Sequence, residues 1–139
     1  MDKNFVLDTS AFLTIFLDEQ GSDVVQKIIT QAKSRTSKIF ISFLTMTELY
    51  YRVYRNEGED AANEVIALVR SLPVEVVQSN DILNLSAGRI KATHKLSIAD
   101  AYIAATALLH KASLVHKDPE FESLSKEISM ISLPYKHAN

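Results

Sequence analysis

The chain has 139 residues, 47% of them hydrophobic and 23% charged, which is enough apolar material for one buried core and ordinary for a folded globular domain. It contains no cysteine, which excludes a disulfide framework and thiolate metal sites and suits a reducing cytoplasm. A net charge of −2 excludes a global basic field, so RNA or DNA would have to be held by local cations or through metal ions.

Met1-Asp2-Lys3-Asn4 lacks the basic start and long apolar stretch of a secretion signal. The longest apolar segment, residues 98–109, is interrupted by Asp100 and is too short to span a bilayer. The expectation is a cytoplasmic protein with no membrane association.

Asn4-Phe5-Val6-Leu7 is an apolar run met early and ended by Asp8, Thr9 and Ser10, the pattern of a short inner strand leading into a helix. Residues 11–17 form a short helical pattern, and Gly21 punctuates it. Ser22 or Asp23 is expected to cap a second helix through residue 33. Residues 34–38 read as a polar connection, and Ile39-Phe40-Ile41 as a second strand.

Thr45, followed three residues later by Glu48, spells a capping box for a helix over residues 45–56. Gly58 interrupts. Another amphipathic helix covers 60–71, ended by Pro73. Val74-Glu75-Val76-Val77 is a third strand, and Ser79-Asn80-Asp81 caps a helix over 82–93. Ser97 opens the most apolar helix, running to about residue 110. Leu114-Val115-His116 is a fourth strand, Asp118-Pro119-Glu120 starts a short helix, and Met130-Ile131-Ser132-Leu133 is a weak last strand. Strands alternating with helices imply an α/β fold with a parallel sheet and right-handed crossovers. With no repeat and no linker, residues 1–139 read as one domain with its core at about 4–133.

Four acids stand at the starts of helices or the ends of strands. Each has a local explanation when taken alone. Asp8 caps the first helix, Glu48 completes a capping box or pairs with Arg52, Asp100 forms a Ser-x-x-Asp box with Ser97, and Asp118 precedes Pro119 as an N-cap. Asp100 is nevertheless the only charge in an otherwise apolar helix, and a lone buried carboxylate demands a partner or a raised pKa.

The four explanations share a location. In a parallel α/β sheet all these positions face the edge where the strands finish, and ligands bind there at the switch in strand order. Two like charges about 4 Å apart cost about 4 kcal/mol at an effective dielectric near 20. A fold that needed only caps could have used Ser or Asn. An oxygen-rich, histidine-poor set suits Mg²⁺ or Mn²⁺, ions that activate water and steady a leaving oxygen in phosphodiester cleavage.

The chain resembles the PIN-domain ribonucleases, most closely the toxin subunits of VapBC-type toxin–antitoxin pairs. The resemblance rests on Leu7-Asp8-Thr9-Ser10, on Thr47-Glu48-Leu49, on Leu96-Ser97-Ile98-Ala99-Asp100-Ala101 with Ile103-Ala104-Ala105, and on Leu114-Val115-x-x-Asp118-x-x-Phe121, in that order over nearly the whole chain. It implies a three-layer domain whose central parallel sheet has strand order 3-2-1-4-5, and an acidic pocket of Asp8, Glu48, Asp100 and Asp118. It also implies Thr9, Ser10 and Ser97 as supporting donors and Glu120 as an outer ligand. The function implied is metal-dependent RNA hydrolysis, with Asp8, Asp100 and Asp118 holding Mg²⁺ or Mn²⁺ and Glu48 helping with a second ion or orienting water. The partners implied are an RNA substrate, a cognate antitoxin and a second copy of the chain. His116 departs from the resemblance, standing where a small hydroxyl residue is frequent; it meets a phosphate, shifts the pH dependence of the pocket, or simply ends a strand.

The rival readings are a PIN-derived module that only binds metal or a partner, and a phosphatase with an Asp after its first strand. The latter wants a second Asp two residues on, where this chain has Ser10. Tyr50, Tyr51, Arg52, Tyr54 and Arg55 interleave aromatic rings with cations, a pattern that serves RNA, packing or a partner face. Lys33, Arg35 and Lys38 form a basic connection read as a solvated loop. His94, His110 and His137 have no ligand-like spacing.

Overall fold

The computed structural model describes residues 3–135. Five parallel strands, β1 (Lys3–Leu7), β2 (Ser37–Ser42), β3 (Val74–Val77), β4 (Ser113–His116) and β5 (Met130–Ser132), form one sheet in the order β3-β2-β1-β4-β5. This is the order implied by the resemblance. Around it lie α1 (Thr9–Phe16), α2 (Ser22–Lys33), α3 (Phe43–Glu57), α4 (Glu59–Ser71), α5 (Asp81–Thr93) and α6 (Ile98–Leu109), with a 3₁₀ turn at Pro119–Leu124.

Strand residues alternate between faces, and both faces are covered. Phe5, Leu7, Ile39, Ile41 and Val115 pack with Phe12, Val25, Leu49, Val65 and Val69 from α1 to α4. Val6, Phe40 and Leu114 point the other way, against Leu83, Ile103, Ala104, Phe121 and Leu124. The central strand β1 is buried on both sides, which explains an unbroken Phe-Val-Leu run where an exposed strand would alternate with polar residues.

Three helix starts show how local chemistry sets the frame. Gly21, not Ser22 or Asp23, holds the N-cap position of α2, and no side chain caps that end. Its φ of +101° is a left-handed conformation, and a Cβ there would lie 3.2 Å from Leu133 and Pro134, so glycine alone fits. Ser42, not Thr45, caps α3 by accepting from Leu44 N, and the helix begins two residues earlier than the Thr45–Glu48 box predicts. A hydroxyl at the very end of β2 takes the cap first, leaving Thr45 buried inside the helix. Glu48 is thereby free of the capping role.

Asn80 caps α5 as expected, accepting from Leu83 N at 2.8 Å. Because α5 packs on the helix that carries Asp100, its start is worth testing separately from the site. Asn80→Ala is expected to cost about 1 kcal/mol, lowering Tm by roughly 3–5 °C in thermal unfolding.

Candidate active site at the carboxyl edge of the sheet

The sheet order places the ends of β1 and β4 side by side, and the backbone joins them there through Asp8 N donating to Val115 O at 3.1 Å. This is the switch point, where the chain proceeds outward from β1 on one side and from β4 on the other. Asp8 follows β1 directly and is 4% exposed. Its Oδ1 accepts from Ala11 N at 2.7 Å, which is the cap, and both carboxylate oxygens lie 2.8 Å from the Ser10 hydroxyl that donates to them. Burial pushes the Asp8 carboxyl up to about 7 against the pull of those two donors, and the charges of Asp100 and Asp118 raise it further.

Glu48 lies in the first half of α3, turned toward α1. Its Oε1 accepts from Thr9 Oγ1 at 2.8 Å, and its Oε2 lies 3.8 Å from Arg52 one turn on. Asp100 sits in the first turn of α6. Ser97 caps that helix through the backbone N–H of Asp100 at 3.1 Å, so the cap uses the Asp100 main chain and not its carboxylate as acceptor. The Asp100 carboxyl is pushed up to about 6, chiefly by burial, then by Asp118 and Glu48; a hydrogen bond with Ser97 opposes this, and Glu120 adds to it. Asp118 follows β4 by two residues and caps the 3₁₀ turn, its Oδ1 accepting from Glu120 N at 2.9 Å.

All four predicted acids therefore meet at one edge, and Glu120 meets them too. One oxygen each of Asp100, Asp118 and Glu120 lies within 4.8 Å of the others. Three carboxylate oxygens brought that close could converge on one hard divalent cation, which takes oxygen ligands. The donor chemistry agrees: carboxylates only, mutually repelling, with Asp8 and Asp100 held in environments that resist ionisation until positive charge arrives. Thr9 donates to Glu48, Ser10 donates to Asp8, and Ser97 accepts from the Asp100 N–H.

Two neighbours escaped the reading of the sequence. Lys117 links the strand exits through its backbone N–H, which donates to Ser10 Oγ at 3.1 Å. Its ammonium is 3.5 Å from Glu19 and 3.3 Å from the Gln20 carbonyl, and the side chain is 5% exposed. A single lysine beside an aspartate carries no periodic or motif signal. Tyr135 was the other: with Ser10, Leu13, Arg52, Lys117 and Asp118 it lines a cleft of about 320 Å³ beside the acids.

His116 ends β4 and is fully buried, so it offers nothing to a phosphate at the surface; burial lowers its pKa. Lys38, the second residue of β2, stands at the opposite edge of the sheet, and the basic connection is remote from the acids. Tyr50 packs on the core while Tyr51 and Tyr54 are exposed, Arg55 lying over the Tyr51 ring at 5.2 Å. His94 pairs with Glu127 and His110 stacks on Phe40. His137 lies outside the described residues.

Residues 5–127, a span that contains every one of these acids, match the family profile of the PIN domain. The chain belongs to the PIN-domain family. This PIN domain shares its fold with a chain of the VapBC2 complex of Rickettsia felis, solved bound to a promoter DNA fragment, at a TM-score of 0.76 and 16% identity over 94% of this chain and 99% of the other. It is similar to a chain of DNA-bound VapBC from Salmonella typhimurium at 0.74 and 20% identity, over 94% and 98%. It is likewise similar to Mycobacterium tuberculosis VapC20, described as a sarcin–ricin loop cleaving toxin, at 0.70 and 18%, over 94% and 99%. No curated protein matches the chain at a significant level. Among the described residues no helix is long and apolar enough to cross a membrane.

Proposed function

We propose that this PIN domain is a divalent-metal-dependent endoribonuclease that acts in the cytoplasm as the toxin of a VapBC-type pair. The observation that carries the reading is the gathering of Asp8, Glu48, Asp100 and Asp118, with Glu120, at the switch point of the sheet. Asp8, Asp100 and Asp118 would hold Mg²⁺ or Mn²⁺, with Glu120 beside them. When bound, such an ion makes water a stronger nucleophile at neutral pH and offsets charge on the leaving 3′-oxygen.

The chain's own groups divide the remaining work. Ser10 and the Ala11 amide fix both oxygens of Asp8. Thr9 holds Oε1 of Glu48, and Oε2, beside Arg52 at 3.8 Å, keeps a lone pair with which to accept from an attacking water. Arg52, on the same side as Glu48 and 43% exposed, offers a phosphate the positive charge that the net composition lacks.

The solved relatives described as toxin–antitoxin complexes support a protein partner. So does an apolar cleft of about 490 Å³ between α1, α3 and α4, walled by Phe16, Val65 and Leu68. It shares Leu13, Leu17 and Arg52 with the cleft at Asp118, so an antitoxin segment laid along it reaches the acids. A second copy of the chain belongs to the same reading.

The deciding experiment incubates nuclease-free protein with pooled cellular RNA. Discrete fragments are expected with Mn²⁺, none with EDTA, and a return of cleavage when Mn²⁺ is restored in excess. Cleavage that persists in EDTA, or release of inorganic phosphate from a small ester without RNA cleavage, overturns the reading.

A further inference from the structure

We propose that His116 is a positioning residue for the metal-binding carboxylates of the Pro119 turn, holding the Asp118 main chain through one imidazole tautomer braced by Ser132. The inference rests on the nuclease reading and concerns a residue that reading does not use.

Both ring nitrogens are engaged. Nδ1 lies 3.2 Å from Asp118 N, and a backbone N–H can only donate, so Nδ1 presents its lone pair. The ring proton of the neutral imidazole is then on Nε2, 3.0 Å from Ser132 Oγ, which accepts it. The strand register sets that second contact, because His116 and Ser132 are partners across β4 and β5, and Leu133 N donates to His116 O at 2.8 Å just beyond.

The ring is also gripped by the turn it supports. It meets Phe121 edge-on at 5.2 Å, and Phe121 N donates to Asp118 O at 3.2 Å. Asp118 is thus fastened at its N–H by the imidazole and at its carbonyl by Phe121. Its carboxylate is fastened by Glu120 N. A side-chain acceptor reaching the N–H two residues on is the contact that Ser, Thr, Asp and Asn make in side-chain turns. Here an imidazole makes it, and its far side ties the turn to the edge strand. Partners that orient a metal ligand from behind change metal affinity without touching the ion.

The test measures Mn²⁺ binding by calorimetry alongside thermal unfolding and RNA cleavage. His116→Ala is expected to weaken Mn²⁺ binding about 10–100-fold. His116→Asn, whose Oδ1 can replace Nδ1 as acceptor, is expected to recover most of that loss. Ser132→Ala leaves the ring in place but removes the acceptor that selects its tautomer; a several-fold loss of Mn²⁺ affinity is expected with Tm nearly unchanged. Equal losses in His116→Ala and His116→Asn would assign the effect to packing and overturn the proposal. If His116→Ala does not fold, Ser132→Ala decides, and wild-type Mn²⁺ affinity there overturns it. Wild-type protein that binds no Mn²⁺ overturns the nuclease reading itself and the positioning role with it.

Discussion

Asp100→Asn is expected to reduce Mn²⁺-dependent RNA cleavage at least about 100-fold while leaving the metal-free protein as stable as wild type or more so. Loss of a partner that merely orients a metal ligand already costs about 10–100-fold, and in the proposed site Asp100 would be a ligand itself, its oxygen within 4.8 Å of those of Asp118 and Glu120. Stability survives because the helix cap runs from the Asp100 backbone N–H to Ser97 Oγ, which the amide leaves untouched. The substitution also removes a carboxylate that faces Asp118, Glu48 and Glu120. Cleavage assays beside thermal unfolding in EDTA separate the two roles. If Asp100 were only part of a cap, activity and stability would fall together or not at all; full cleavage by Asp100→Asn would remove it from the site.

The second large effect lies in how pH acts on the metal-free protein. Asp8 is raised from 3.8 to about 7 and Asp100 from 3.8 to about 6, so between those values the folded chain keeps protons that the unfolded chain has released. Stability therefore falls as pH rises from about 4 to 7, the reverse of the usual paired carboxylate. Asp8→Asn should remove most of this penalty. Asparagine still accepts from Ala11 N and is a favoured N-cap, so the start of α1 is preserved.

Compared with wild type in EDTA, Asp8→Asn is expected to gain on the order of 2–4 kcal/mol at pH 8, read as a Tm higher by at least about 5 °C, and nothing at pH 4. Mn²⁺ should narrow the gap at pH 8 by stabilising wild type alone, with cleavage lost in the variant. A less stable Asp8→Asn at pH 8 would show that the Asp8 carboxylate is well accommodated without metal.

The strands were legible because their residues are apolar in short runs bounded by turns; Phe5, Val6 and Leu7 announce a strand covered on both faces. The caps were less so. Thr45 and Glu48 satisfy the capping-box spacing, yet Ser42, nearer the strand end, takes the role, since competition between adjacent hydroxyls depends on where the strand stops. The Gly21 turn was visible as punctuation but not as the cap, because its geometry answers to Leu133 and Pro134 more than a hundred residues away.

Of the site, every acid was visible and none was decisive by itself. What joins them is strand order, which local pattern does not encode and which came from the resemblance. His116 stood out in the sequence, but not its contact with Ser132, and Lys117 did not stand out at all, since its contacts with Glu19 and Ser10 join segments remote in sequence.

The Ser10 hydroxyl is shared between the two halves of the sheet: it gives its proton to Asp8 and takes that of the Lys117 amide. Any shift of the Asp8 carboxylate would be felt at this oxygen and, through it, at the peptide that leads into Asp118. Asp8 and the peptide that leads into Asp118 are thus linked through a single atom. Loading the site would tighten it as a unit, and a serine with no ligand of its own would carry the tension.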